Sequence, residues 1–298
     1  MSAAEKSLLF FPGCTLQGMA ADYGMSARQV FAALGSPLRD LPGWACCGST
    51  SAHALDPFLA VAMAAANLAK VPADGGPLSV CCAACYNRLK SANHHLAASG
   101  AGEIKDRLRS ELDITYDGSV PVRHLLEILA QDIGLERITA SVKRDFSSLK
   151  VAPYYGCLLV RPPDVMNFDD PEEPVLMDQV LSAAGFTLVD WPFKVDCCGA
   201  GLTLARADIV ARLVDKLLRG AEEAGADVIA VACPECRANL DMRQSDARKR
   251  YHHDRKIPIL YFTQLLGLAF GIPNSDLGLS KAFNDPVPVI ERRLAEVK

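Results

Sequence analysis

The chain has 298 residues, of which 50% are hydrophobic and 22% are charged, and its formal net charge is −4. This is the composition of a soluble globular protein, and the length allows two domains that each bury a core. The basic excess that nucleic-acid binding requires is missing, and no apolar run reaches the roughly 18 residues of a membrane span. The N-terminus lacks the apolar region of a signal peptide. We therefore expect a cytoplasmic protein without nucleic-acid partners or a membrane span.

Cysteine is the most informative residue type, because ten of the eleven cysteines fall into two copies of one pattern. Each copy has a lone cysteine, a vicinal pair and a C-x-x-C motif, and 34 residues separate the pair from the motif in both copies. A spacing kept over that distance predicts a duplicated structural unit. The first copy consists of Cys14, Cys46, Cys47, Cys82 and Cys85, and the second of Cys157, Cys197, Cys198, Cys233 and Cys236.

The same order of elements recurs in both halves of the chain. The first half is predicted to contain strands over 8–11, 38–41 and 78–80, helices over 25–34 and 59–70, and a further helix from residue 87. The second half is predicted to repeat this with strands over 151–155, 187–189 and 228–231, helices over 175–184 and 209–224, and a further helix from residue 239. Alternation of strands and helices predicts an α/β fold with two pseudo-twofold-related domains. Each would be a small parallel sheet with its cysteines at the carboxyl ends of the strands.

Composition also suggests where the units begin and end. We expect a first domain over 1–148, a second over 149–275 and a C-terminal tail over 276–298. Residues 93–118 are polar and longer than their counterpart in the second half, so they are predicted to form an inserted hairpin or loop. The proline- and charge-containing segment after Ile272 is expected to lie over a partner or the surface.

Five thiols in each half are one more than a tetrahedral zinc ion or an ordinary cubane iron–sulfur cluster takes. They favour a multinuclear cluster in which one sulfur bridges metals or sits on an exposed iron. A structural zinc ion with a spare thiol in each half is the alternative, and the duplication of all five positions counts against it. Disulfides are disfavoured because adjacent cysteines cannot easily reach disulfide geometry.

The sequence around the cysteines gives a second signal. It lies in the motifs Phe11-Pro-Gly-Cys14-Thr, Trp44-Ala-Cys46-Cys47-Gly48, Cys82-Ala-Ala-Cys85-Tyr-Asn-Arg-Leu, Tyr155-Gly-Cys157, Cys197-Cys198-Gly199 and Cys233-Pro-Glu-Cys236. These motifs, over roughly residues 7–271, resemble the B subunit of heterodisulfide reductase, a family built from two cysteine-rich CCG domains. The resemblance implies that each five-cysteine set binds a noncubane [4Fe-4S] cluster, and that a disulfide is cleaved or formed between the two clusters.

The resemblance also implies partners, namely an iron–sulfur C subunit and a flavin-bearing A subunit. The chain itself has no glycine-rich nucleotide or flavin motif, so it must exchange electrons with another subunit. We therefore predict the catalytic iron–sulfur subunit of a heterodisulfide-reductase-like complex, an oxidoreductase acting on sulfur groups. The alanine- and arginine-rich composition shifts the expected substrate from the coenzyme M–coenzyme B heterodisulfide to sulfur held by a lipoate-binding carrier protein. The alternative is a non-catalytic electron-relay subunit of a flavin-dependent dehydrogenase complex, against which the complete cysteine sets count.

Three further residues are singled out by comparing the halves. Cys81 aligns with Ala232 and is interpreted as a buried thiol near the site rather than a sixth ligand. His53 is a candidate proton donor to a nascent thiolate, although a surface or packing role is the alternative. Arg161 is a candidate substrate contact, although it could be an ordinary surface arginine. The disulfide is expected between the clusters, near Cys14, Cys47, Cys157 and Cys198.

Overall fold

A computed structural model gives the fold and describes residues 7–49, 52–252 and 256–295. Within these residues, eight strands form two four-stranded sheets in which every pairing is parallel. The strands are β1 (Leu8–Phe11), β2 (Leu38–Asp40), β3 (Leu78–Val80), β4 (Val122–His124), β5 (Lys150–Tyr154), β6 (Thr187–Leu188), β7 (Val228–Val231) and β8 (Ile259–Tyr261). Their order is β2-β1-β3-β4 in the first sheet and β6-β5-β7-β8 in the second. The prediction of a duplicated α/β unit is confirmed.

Helices connect the strands and cover the sheets. In the first half they are α1 (Ala21–Ala33), α2 (Ala52–Leu55), α3 (Pro57–Leu68), α4 (Ala83–Ala97), α5 (Gly102–Leu112), α6 (Leu125–Glu127) and α7 (Leu135–Ser141), the last two joined by a π-helical segment over Ile128–Gly134. In the second half they are α8 (Pro163–Met166), α9 (Leu176–Ala183), α10 (Ala207–Glu223), α11 (Pro234–Met242), α12 (Gln244–Tyr251), α13 (Phe262–Ala269) and α14 (Val287–Ala295).

The strand order places the cysteine loops together. In each sheet the chain runs from a central strand to one neighbour and then crosses to the other side, so connections leave the central strands in opposite directions. Loops at the carboxyl ends of such strands form a crevice where ligands bind in open α/β sheets. Because all strands of a sheet are parallel, the lone cysteine, the vicinal pair and the C-x-x-C motif of each half reach the same edge.

Helices of the two halves pack against each other across their common interface. Helix α1 of the first half packs against α13 of the second, with the Ser26 and Thr263 hydroxyl oxygens 2.7 Å apart. Helix α9 of the second half packs against the α6–α7 region of the first, where the Thr139 hydroxyl donates to the Ala183 carbonyl at 2.9 Å. The buried side chains of both halves therefore form one continuous core.

Two predictions about helices were wrong in their limits. The helices after the C-x-x-C motifs begin at Ala83 and Pro234, not at residues 87 and 239, because each motif's first cysteine already stands at the helix start. Residues 93–118 are not a hairpin or loop, since α4 continues to Ala97 and α5 follows. An i,i+4 ion pair between Arg107 and Glu111, with Nε and Oε1 2.8 Å apart, supports α5.

The C-terminal segment lies on its own chain. Leu277, Leu279 and Ile290 are buried in the core. The Arg293 guanidinium approaches the Asp227 carboxylate to 2.7 Å and ties α14 to the start of β7. The segment therefore covers the protein's own surface, whereas the domain limits at residues 148 and 275 stay predictions.

Candidate metal centre

The ten cysteines of the two copies occupy equivalent places in the two halves. The lone cysteine follows the central strand, and the C-x-x-C motif caps and opens the helix after the third strand. In both halves the second cysteine of the pair and both cysteines of C-x-x-C are buried. The first cysteine of the pair, Cys46 or Cys197, is exposed in both halves. The lone cysteine is exposed in the first half, as Cys14, and half-buried in the second, as Cys157.

The sulfur atoms lie close together within each half. Cys47 Sγ is 3.3 Å from Cys85 Sγ, and the equivalent pair in the second half, Cys198 and Cys236, has its sulfurs 3.5 Å apart. Cys46 Sγ lies 3.9 Å from Cys14 Sγ. Each half thus gathers its own five thiols at one edge of its sheet.

The two thiol sets meet at the interface between the halves. Cys82, in the first C-x-x-C motif, and Cys233, in the second, lie close enough for each thiol to shift the pKa of the other. Both side chains are buried, at 3% exposure each. A redox group held by one half would therefore lie against the group held by the other.

Glycines make room for the sulfurs at the same two points in each half. A Cβ atom on Gly13 would lie 3.0 Å from Cys85 Sγ, and one on Gly156 would lie 3.0 Å from Cys236 Sγ. Both glycines have positive φ, 72° and 69°, which side chains with a Cβ disfavour. The backbone before each lone cysteine can therefore approach a C-x-x-C sulfur in a way no other residue type would permit without rearrangement.

The Cys-Cys-Gly turns also point a backbone donor at a sulfur. The N–H of Gly48 donates to Cys46 Sγ at 3.4 Å, and the N–H of Gly199 donates to Cys197 Sγ at 3.3 Å. Hydrogen bonds to sulfur favour the thiolate and tune the potential of iron–sulfur groups. The turn thus prepares an exposed sulfur to act as an anionic ligand.

Crowding of the thiols perturbs their ionisation. The neighbouring Cys233 thiol, together with burial, raises the pKa of Cys82 well above the usual range. The Cys47 thiol, together with burial, does the same to the pKa of Cys85. Burial and the neighbouring Cys46 raise the pKa of Cys14 to about 11. A set of five thiolates in this space therefore requires a cation to compensate their charge.

The chemistry of the donor set fits an iron–sulfur group. Over the described ranges, no three Cys, His, Asp or Glu side chains form a ready-made site for a metal ion. Sulfur is the ligand that iron–sulfur groups and zinc prefer, and five sulfurs exceed what one zinc ion takes. The duplicated glycine cradles and N–H···S bonds add features that suit a bulky group bound at several atoms.

A buried tyrosine links the two halves behind the thiols. The Tyr23 hydroxyl lies 2.9 Å from the Cys81 carbonyl oxygen and 3.2 Å from that of Ala232, the equivalent residue of the second half. Its ring stacks on Tyr261 with the centroids 3.9 Å apart, and His124 Nε2 also contacts the Cys81 carbonyl at 2.9 Å. Both C-x-x-C loops are therefore fixed relative to each other through one side chain.

A buried charge pair provides a second link. Arg237, next to Cys236, places Nη2 3.1 Å from Asp22 Oδ2, and both side chains are almost inaccessible to solvent. Burial raises the pKa of Asp22, and the positive charge of Arg237 opposes that shift. Because neither group can reach water, each depends on the other for charge compensation.

His53 and Arg161 belong to different halves of the molecule. His53 is exposed on α2, at the rim of a cleft that also contains Arg88. The Arg161 guanidinium is occupied by the Glu172 carboxylate at 2.7 Å and by the Val195 carbonyl at 3.2 Å. Their catalytic roles stay predictions.

Cys81 is fully buried and directly precedes the C-x-x-C motif. We expect Cys81→Ala to leave the iron content unchanged and to cost about 1 kcal/mol of stability, because Ala232 fills the equivalent position in the second half. Iron and sulfide analysis of the anaerobically purified variant would check this. Loss of a whole cluster would show that Cys81, and not Cys82, is the ligand.

The residues that join the halves were not predicted from the sequence. Tyr23, Asp22 and Arg237 lie in no repeated motif, and their partners are more than 50 residues away in the chain. Arg88 had a weak signal, since it belongs to the Tyr-Asn-Arg-Leu run after Cys85.

Comparison with known proteins agrees with this geometry. The profile of the cysteine-rich domain family CCG matches residues 8–90 and 151–241. The 8-methylmenaquinol:fumarate reductase membrane anchor subunit of Wolinella succinogenes is 31% identical, over 93% of this chain and 96% of its own. The B subunit of the ferredoxin/F(420)H(2)-dependent CoB-CoM heterodisulfide reductase of Methanosarcina acetivorans is 30% identical, over 92% of both chains.

A solved structure supports the fold. The crystal structure of a hypothetical protein from Helicobacter pylori superposes with a TM-score of 0.72 at 17% identity. The match covers 94% of this chain and 52% of that one, so the chain spans about half the length of this structural relative. None of the helices in the described part of the chain combines the length and apolar character needed to cross a membrane.

Proposed function

The chain belongs to the family of the heterodisulfide reductase B subunit, and we propose that it performs thiol–disulfide redox chemistry at paired iron–sulfur clusters within a multi-subunit oxidoreductase. The observation that carries this proposal is the position of the Tyr23 hydroxyl, which lies within hydrogen-bond distance of the carbonyls directly before both C-x-x-C motifs and so holds the two thiol sets next to each other. Two redox groups side by side suit a disulfide, because its cleavage takes two electrons and two protons and yields two thiols.

The ten duplicated cysteines would hold the clusters, five in each half. When bound, two noncubane [4Fe-4S] clusters would supply the one-electron steps that a two-electron reaction needs. The chain contributes the rest: Gly13 and Gly156 admit the sulfurs, and the N–H groups of Gly48 and Gly199 favour the thiolate form of Cys46 and Cys197. Tyr23 holds the two C-x-x-C loops in fixed positions relative to each other.

The substrate would approach the clusters at the exposed thiols. Cys14, Cys46 and Cys197 face solvent, so a disulfide can approach there without opening the core. His53 is exposed and could give a proton to the leaving thiolate, whereas Arg161 would have to leave Glu172 to contact substrate. The substrate choice has two supports. Composition favours sulfur on a lipoate-binding carrier, and the name of the Methanosarcina relative favours the CoB-CoM heterodisulfide.

The partners follow from the same proposal. A chain without its own flavin or nucleotide motif needs an electron donor or acceptor, which an iron–sulfur C subunit and a flavin-bearing A subunit would supply. The Cys46 edge of the first half and the Cys197 edge of the second both offer exposed thiols near which an electron carrier could dock.

One observation favours a second candidate function. The Wolinella relative, 31% identical over 93% of this chain, is named for a fumarate reductase. A chain of this kind could relay electrons between partner subunits without binding a disulfide itself. Complete cysteine sets are compatible with both functions, so the two candidates differ in whether a substrate thiol reaches the clusters.

A thiol titration separates the two candidates. We expect anaerobically prepared, cluster-loaded protein to give a paramagnetic signal that appears on oxidation only when a dithiol such as dihydrolipoamide is present. Electron paramagnetic resonance at low temperature measures it, with S-methylated dihydrolipoamide as the matched control. Electron transfer through the protein with no thiol-dependent signal would leave the relay as the function.

A further inference from the structure

A cleft of about 170 Å³ lies between α3 and α4, beside the first thiol set. Its lining combines nitrogen-bearing side chains with small ones. The nitrogen-bearing residues are His53, Arg88 and His95, and the others are Pro57, Ala60, Val61, Ser91 and Ala92.

The helix periodicity explains why these side chains meet. Arg88, Ala92 and His95 follow one face of α4, at spacings of four and three residues. Pro57 and Ala60 are three residues apart on α3, and their small size leaves the space between the helices open. At roughly 30 Å³ for each water-sized group, the cleft holds about five or six such groups. That is enough for an acidic head group and a few methylenes.

The cleft has an uncompensated positive charge. Arg88 Nη2 donates to the neighbouring Asn87 Oδ1 at 2.9 Å and, among the described residues, is in no ion pair. Asp56, at the start of α3, accepts the Phe58 N–H at 2.8 Å, and its charge acts on Arg107. An anion would therefore find a guanidinium without a counter-charge and two imidazole rings.

The cleft is one helical turn from the thiols. Arg88 follows Cys85 by three residues on the same helix. His53 stands one residue beyond Ala52, which packs against the Gly48 turn. A molecule held in the cleft is thus placed beside the first cysteine set.

The second half differs from the first at the positions that line the cleft. At the offset that relates Cys82 to Cys233, Arg88 corresponds to Asn239, His53 to Leu204 and His95 to Asp246. Ala92 corresponds to Arg243, but its guanidinium is paired with Asp246 at 3.2 Å. Asn239 is used internally, since its amide donates to the Cys198 carbonyl at 2.6 Å. The two halves therefore have the same cysteines but different charges beside them.

We propose that this cleft binds the anionic end of the substrate: a carboxylate, sulfonate or phosphate on a short aliphatic chain. Charge-assisted hydrogen bonds from Arg88 would hold that end while the sulfur reaches the first thiol set. The inference rests on the proposed function and narrows its substrate to thiols or disulfides that carry an acid. A lipoyl group joined to a carrier by an amide lacks this charge and would gain nothing from the cleft.

The first test asks whether the cleft binds an anion, independently of any redox chemistry. Cluster-loaded protein is treated with phenylglyoxal, and modification of each arginine is followed by mass spectrometry. We expect propionate, but not 1-propanol, to slow modification of Arg88 at least threefold and to leave the exposed Arg109 unaffected. His53→Gln should weaken the protection. Equal modification of Arg88 with and without propionate would overturn the site.

The second test asks whether the substrate uses the cleft. Dihydrolipoate and dihydrolipoamide share their two thiols and differ in the carboxylate, so they form a matched pair for the thiol-dependent paramagnetic signal. We expect dihydrolipoate to act at a concentration at least fivefold lower in the wild type. Arg88→Gln should abolish that difference, and Arg109→Gln should keep it. Equal responses to both dithiols in the wild type would refute the assignment. If neither dithiol produces the paramagnetic signal, the proposed function is refuted instead, whatever the protection of Arg88 shows.

Discussion

Cys82→Ser is expected to remove about half of the iron from the protein, because a cluster missing one thiolate ligand is not retained. Cys236→Ser should have the same effect through the other half. The structure supplies the reason for independence, since each half gathers its five thiols at its own sheet edge. Iron and acid-labile sulfide analysis of anaerobically prepared protein, with paramagnetic resonance of the reduced state, measures the loss.

The matched control for Cys82→Ser is the neighbouring Cys81→Ala, which should keep all of the iron. The double variant with Cys82→Ser and Cys236→Ser should lose nearly all of it. Loss of all iron in either single variant would mean that the two thiol sets bind one shared group. Two zinc ions per chain with negligible iron in the wild type would contradict the iron–sulfur proposal itself.

Asp22→Asn is expected to destabilise the protein by about 3 kcal/mol, because it leaves the buried Arg237 without its nearest counter-charge. Asp241 remains 3.7 Å from the same guanidinium and limits the loss. For a chain of this size the unfolding midpoint should fall by roughly 5–10 °C. Thermal unfolding of the cluster-loaded protein, followed by circular dichroism under anaerobic conditions, measures it.

Asp40→Asn is the matched control for Asp22→Asn. Asp40 pairs with Arg28 at 2.6 Å, but both side chains are about 40% exposed, so its loss should cost no more than about 0.5 kcal/mol. Combining Asp22→Asn with Arg237→Met should recover part of the stability, because the buried guanidinium is removed and Asp241, which it also approached, keeps the N–H donors of Phe283 and Asn284. A midpoint unchanged by Asp22→Asn alone would show that the pair does not hold the halves together.

The sequence predicted where the cysteines lie in the fold because their signals are local, whereas their role as cluster ligands stays a prediction. A strand ending in Gly-Cys and a Cys-Cys-Gly turn fix where the thiols stand on a parallel sheet, and the 34-residue spacing repeats that arrangement in the second half. Strand limits agreed to within one residue for the same reason. Helix starts agreed less well. Cys82 and Cys233 were interpreted as loop residues, although both stand directly at a helix N-terminus.

The interface could not be predicted from one sequence. The Tyr23 contact with Ala232 spans 209 residues, and no periodicity signals such a pair. The inserted helix α5 was missed for a different reason. Gly100 and Gly102 indicate a turn, whereas the helix is stabilised by side chains further along, such as Arg107 and Glu111.

The packing of α1 against α13 constrains when the first half can complete its fold during biosynthesis. Helix α1 is complete at residue 33, but its packing partner α13 begins only at residue 262. At about 5–20 residues per second, a ribosome takes roughly ten to fifty seconds to make the intervening chain. During that time the apolar face of α1 and the first five thiols lack the cover that the second half provides. We therefore expect iron insertion into the first half to follow synthesis of α13, and the nascent protein to be at its most vulnerable to oxygen before then.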